Sequence, residues 1–143
     1  MNDSLHIVCP HCDAVSRIPA VRLNEMPKCG KCYQPLFTGH PVDLTAANIQ
    51  RHVSRNDISV LVDFWASWSP PYKMMAPQFE QAAAQLEPWT RLVKVNTETE
   101  PMLGAQYCIR SIPTLALFQV DKGHRTPARH HGRSRYRAPD PNQ

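Results

Sequence analysis

No run of eighteen or more apolar residues occurs in this 143-residue chain, so no membrane-spanning helix is expected. The N-terminus, Met1-Asn2-Asp3-Ser4-Leu5, lacks a basic stretch followed by a hydrophobic one. No secretory leader is expected from it, and the chain is assigned to the cytoplasm. Net charge is also missing from most of the molecule, because ten Lys/Arg in residues 1–118 face ten Asp/Glu. The formal +4 belongs to residues 119–143, where six basic side chains stand against Asp121 and Asp140. A basic excess confined to one terminal segment argues against nucleic acid as a partner of the folded part. The length suits one compact domain of about a hundred residues with a small appendage, and excludes two large cores.

What is present begins with cysteine. Four of the five cysteines form Cys9-Pro10-His11-Cys12 and Cys29-Gly30-Lys31-Cys32, a C-x2-C-x16-C-x2-C pattern. Each C-x2-C turn aims two sulfurs at one point, and two such turns supply the four thiolates of a structural zinc ion. One Zn²⁺ on Cys9, Cys12, Cys29 and Cys32 would replace the core that so short a segment cannot build. Two structural disulfides, or a redox-active pair in one knuckle, are the competing readings, and a reducing compartment disfavours them. Gly30 is expected to supply a tight backbone. His11 is read as a solvent-facing spacer rather than a fifth ligand.

After a short linker, Thr38-Gly39-His40-Pro41, the pattern changes. Asp43 or Thr45 is expected to cap a helix running to about Arg55, with Ile49 and Val53 facing a core. Ile58 to Trp65 is almost continuously apolar and reads as a buried central strand. A helix over about 70–86 carries Pro77 inside it, which predicts a kink. Leu92 to Asn96 is a second strand, Glu98 to Tyr107 a second crossover helix, and Thr114 to Phe118 a third strand. Alternating strands and helices predict an α/β sheet containing parallel pairs.

Val62-Asp63-Phe64-Trp65-Ala66-x-Trp68, Pro77, Val93-Lys94-Val95-Asn96 and Ile109-Arg110-Ser111-Ile112-Pro113-Thr114 together resemble a thioredoxin. With the four-cysteine segment in front, the chain is similar to the thioredoxin 2 type, the cytosolic zinc-containing branch of that family. The resemblance covers about residues 5–118. It implies a thioredoxin-like α/β fold behind a zinc ribbon, with the ribbon at 1–37 and the thioredoxin-like domain at 38–118. It also implies protein-disulfide reduction, a cis-proline at Pro113, and a peptide groove formed by Trp68, Ile112 and Pro113. Asp63 and Lys94 would support the reaction.

Two departures set the chain apart. Where such proteins carry Trp-Cys-Gly-Pro-Cys, this one reads Trp68-Ser69-Pro70-Pro71-Tyr72. The family's first thiolate attacks a substrate disulfide and the second resolves the mixed disulfide; Ser69 and Tyr72 supply neither sulfur. Ser69 before two prolines reads as a helix N-cap, because a hydrolytic serine needs a base that no nearby histidine offers. Tyr72 reads as a packing replacement. The second departure is residues 119–143, rich in Arg and Pro and without a period of 2 or 3.6. This segment is expected to be a disordered basic tail that lacks the last strand and helix of the fold, and its loss of pattern resembles a change of reading frame. A basic arm for acidic partners is the alternative.

Three functions compete: a redox-silent module that binds peptides or proteins, a decayed homologue, and an active protein-disulfide reductase using another thiol such as Cys108. Cys108 itself reads as a small, half-buried thiol.

Overall fold

Backbone hydrogen bonding sorts the described residues, 3–119 of this computed structural model, into a two-stranded ribbon and a four-stranded sheet. In the ribbon, β1 (Ser4–Val8) runs antiparallel to β2 (Val15–Pro19), with Val8 opposite Val15. The first C-x2-C turn forms the loop between them. A single 3-10 turn, Ala20–Arg22, leads to the second C-x2-C turn, which is closed by a bridge between Lys28 and Pro35.

The sheet has the order β3-β5-β4-β6. β4 (Ser59–Trp65) lies parallel to β5 (Thr90–Asn96) and antiparallel to β6 (Thr114–Phe118), and β3 (Val42–Asp43) lies parallel to β5. Its central position explains why β4 is apolar along nearly its whole length, since both faces are covered. Val60, Val62 and Phe64 point to the face where α1 (Ile49–Arg55) and α3 (Pro101–Gln106) pack. On the other face Leu61 meets Leu92, Leu115 and the Phe79–Ala83 stretch of α2 (Pro70–Leu86). A period of two places Asp63 on this α2 face, and register sets it beside Lys94.

The three strands and two crossover helices expected from the apolar runs are all found, with Pro77 carried inside α2. Three expectations need correction. Asp43 is not a cap but the second residue of β3, a strand too short to show alternation. The first helix starts only at Ile49, after a turn in which the Asn48 side-chain carbonyl accepts from the Thr45 amide. The second crossover helix begins at Pro101, a residue suited to the first helical position, rather than at Glu98, which lies in a preceding turn where its amide donates to the Asn96 side chain. The expectation of a disordered tail missing a strand and a helix falls on residues 120–143, outside the described residues.

The ribbon is docked on the sheet domain rather than strung beside it. Ile58, at the entrance to β4, belongs to the ribbon's own core with Ile7, Leu23 and Leu36. Around this contact the Val8 amide donates to Asn56 Oδ1 at 2.8 Å, and Arg91 Nη2 donates to the Val8 carbonyl at 3.1 Å. Arg91 is fully buried, pairs with Glu87 at 3.0 Å, and lies over the Phe37 ring at 4.8 Å. Glu87 in turn accepts from the Gly39 amide at 2.8 Å, tying the linker to the end of α2.

Candidate functional site

The two C-x2-C turns are built alike. The Cys9 amide donates to Ala14 and the Asp13 amide to the Cys9 carbonyl, at 2.8 and 3.0 Å; the Cys29 amide donates to Gln34 and the Tyr33 amide to the Cys29 carbonyl, at 2.9 and 3.0 Å. In each turn the residue after the second cysteine takes a left-handed backbone, φ 65° at Asp13 and 63° at Tyr33. The tight position falls at Tyr33, three residues after the Gly30 expected to supply it: Gly30 has no positive φ, and an added Cβ would meet only the Ser16 hydroxyl at 3.9 Å. Pro10 fills the equivalent place in the first turn.

All four sulfurs lie within 4.8 Å of one another, and two pairs, Cys9–Cys32 and Cys12–Cys29, are each 3.6 Å apart. A tetrahedral ion with metal–sulfur bonds of about 2.3 Å would separate its sulfurs by about 3.8 Å. The donor set thus has the size, number and chemistry of a four-thiolate zinc site. Amide N–H groups already point at two of the sulfurs, from His11 to Cys9 at 3.2 Å, and from Lys31 and Cys32 to Cys29 at 3.3 and 3.4 Å. Burial pushes the Cys9 thiol up to about 12. Burial acts the same way on Cys29, but the Cys32 and Lys31 amides and the neighbouring sulfurs more than offset it and bring that thiol to about 6. His11 is exposed and hydrogen-bonds the Pro35 carbonyl at 3.0 Å, linking the two turns without approaching the sulfurs as a ligand.

At the other end of β4, Ser69 directly precedes α2 and is 1% exposed. Its hydroxyl donates to the Ile112 carbonyl at 3.2 Å. That bond brings the start of α2 against the Ile112–Pro113 peptide, which is cis. Trp68, next to Ser69, is 65% exposed, whereas Ile112 and Pro113 are half-buried. Tyr72 lies in the first turn of α2. Asp63 is fully buried, with no hydrogen-bond partner on either carboxylate oxygen. Burial raises its pKa to about 7, against the pull of Lys94, whose ammonium lies 5.1 Å from the centre of the half-buried Trp65 ring.

Cys108 corrects another expectation, since it is exposed rather than half-buried. Two contacts that sequence reasoning missed join the ribbon to the sheet domain, Arg91 with Val8 and His52 with Asp13. His52 is fully buried, its Nε2 lies 2.9 Å from Asp13 Oδ1, and burial lowers its pKa. Arg91 stands just ahead of the apolar run of β5, and no spacing in the chain announces either contact.

The thioredoxin family model matches residues 40–136, and the model described as thioredoxin 2, N-terminal, matches residues 8–34. The first match runs past Phe118, where the sheet pattern of the sequence fades. Thioredoxin C-3 from Corynebacterium nephridii is 44% identical over 111 residues, covering 78% of this chain and 76% of its own length. A thioredoxin from Porphyra purpurea is 43% identical over 76 residues, 53% of this chain and 71% of its own. Among solved structures, the Trx4 domain of ERdj5 superposes with a TM-score of 0.58 at 26% identity, over 62% of this chain and 77% of that one. Full-length ERdj5 gives 0.59 over 13% of its chain, so the likeness is to one part of a longer protein.

Proposed function

Because the chain belongs to the thioredoxin family and carries the thioredoxin 2 type of N-terminal ribbon, we propose that it is a zinc-bearing, redox-silent binding protein. It holds peptides or other proteins at Trp68, Ile112 and Pro113 without exchanging disulfides. Ser69 carries this reading. Disulfide exchange begins with a thiolate attacking sulfur; the group at that position is an alcohol, whose proton is directed at the Ile112 carbonyl. The exposed Trp68 face beside it offers apolar area to a partner. Asp63 and Lys94 keep the family's supporting pair with no thiol to serve.

Zinc on Cys9, Cys12, Cys29 and Cys32 would act as a cross-link between the two knuckles. Four protein thiolates leave no open position for catalysis. The cytoplasm is the proposed location, and neither nucleic acid nor a membrane is a proposed partner. A second reading, reduction by a single thiol, rests on the exposure of Cys108.

Disulfide reductase turnover with dithiothreitol as electron source, measured beside a Ser69→Cys/Tyr72→Cys revertant and a Cys108→Ser variant, separates these readings. The revertant alone should turn over, and peptide binding by the unmodified chain should be lost in Trp68→Ala. Turnover by the unmodified chain that Cys108→Ser abolishes would replace the proposal with the monothiol reading. Absence of any peptide binding would reject the binding role.

A further inference from the structure

The two knuckles are equal in backbone and unequal in support. Both ends of the first are held by the sheet domain. Val8, before Cys9, gives its amide to Asn56 Oδ1 and its carbonyl to Arg91, at 2.8 and 3.1 Å. Asp13, after Cys12, sits 2.9 Å from His52 Nε2 through Oδ1 and 3.5 Å from Asn48 Nδ2 through Oδ2. His52 is itself fixed, fully buried in α1 and accepting at its carbonyl from Asn56 Nδ2 at 3.0 Å. The second knuckle packs buried Cys29 in the same core as Ile58, but its hydrogen bonds run to ribbon residues: Gly30 N to Ser16 Oγ at 3.1 Å, Pro35 O to His11 at 3.0 Å, and the Lys28–Pro35 bridge. Its left-handed residue, Tyr33, is 73% exposed.

We propose that Asp13 and His52 are positioning residues for the metal centre. The thioredoxin domain holds the Cys9–Cys12 knuckle in its metal-binding shape, and the ion leaves by opening of the Cys29–Cys32 knuckle. This rests on the reading of the four cysteines as a zinc site. A left-handed backbone is disfavoured for most residues with a Cβ, though less for Asp than for Tyr, and of the two knuckles only the first has a sheet-domain side chain holding its left-handed residue. The His52 N–H supplies that hold, as outer-shell partners that orient ligands do elsewhere.

The test is zinc affinity and release rate of the full chain by chelator competition, for Asp13→Gly, Asp13→Asn and Tyr33→Gly. Glycine relieves the backbone at both positions but removes the clamp only at 13; asparagine keeps an acceptor for His52 and tolerates the left-handed region. Asp13→Gly should weaken zinc binding about 10–100-fold, while Asp13→Asn stays near the unmodified protein and Tyr33→Gly binds as well or better. If Asp13→Gly binds as tightly as Tyr33→Gly, position 13 has only a backbone role and the proposal fails. A second readout needs no variant. During chelation, alkylation followed by mass spectrometry should label Cys29 and Cys32 before Cys9 and Cys12, with the exposed Cys108 labelled throughout as reference. The reverse order overturns the release route. An unmodified chain that binds no zinc at all would overturn the metal reading as well, an outcome distinct from tight zinc with an indifferent Asp13.

Discussion

Replacing Asp63 with asparagine should stabilise the protein by an amount that grows with pH. The carboxyl is fully buried, neither oxygen has a hydrogen-bond partner, and burial lifts its pKa from 3.8 to about 7 despite Lys94. Because the folded pKa is raised, the unfolded chain gives up this proton at a lower pH than the folded one. Between about pH 4 and 7 the native state therefore binds more protons, and stability falls as pH rises through that window. A shift of about three units at about 1.4 kcal/mol each costs about 4 kcal/mol above pH 7, and nothing below pH 4, where both states are protonated. The amide of Asp63→Asn never ionises, so whatever packing change it brings is constant with pH. Urea unfolding of both proteins from pH 4 to pH 8 isolates the carboxyl as the difference between two curves. The variant should gain about 4 kcal/mol relative to the unmodified chain across that range; at about 4 °C per kcal/mol this corresponds to roughly 15 °C in melting temperature at pH 8. Parallel curves with a constant gap would mean that Asp63 is solvated, and would refute the reasoning.

Arg91→Leu should cost about 3–5 kcal/mol, because it leaves the nearly buried Glu87 charge uncompensated. Adding Glu87→Gln should recover at least half of the loss in a denaturant titration, and a single-variant cost under about 1 kcal/mol would show the pair to be dispensable. Cys108→Gly should stabilise by about 1 kcal/mol. Cys108 ends α3 at φ 57°, with the Ile109 amide on Gly104 and its own amide on Ala105 at 2.8 and 3.1 Å, the helix stop that glycine fits best. Cys108→Ala keeps the strain and should show no such gain in thermal unfolding.

Local patterns carried most of what the sequence revealed. Two C-x2-C pairs announce a common four-sulfur cluster because each turn is self-contained, and the valine-rich runs announce β4 and β5 because central strands are buried on both faces. Asp63 stood out as an acid inside such a run, and its burial follows from that position. What stayed hidden was the chemistry between distant segments. Nothing in the spacing of Asp13 and His52 makes them neighbours. Lys94 was expected beside Asp63 from the resemblance, but Arg91, three residues earlier on the same strand, was given no role, and alternation sends it to the opposite face, under the ribbon. The left-handed residues were misplaced because glycine was taken as their marker, whereas Asp13 and Tyr33 hold the conformation without it. Cys108 was misjudged for the opposite reason, since an apolar-looking residue at a helix end was credited with burial that the chain reversal denies it.

Ile58 lies on the sheet side of the linker in sequence and in the ribbon's core in space. A cut at the linker would therefore divide the chain but not its packing, leaving one fragment without a wall and the other with an exposed isoleucine. Transplanting residues 1–37 onto another thioredoxin domain would require a host with its own equivalents of Asn56, Ile58 and Arg91. On a host without them, the ribbon would be a tethered bead instead of a seated cap.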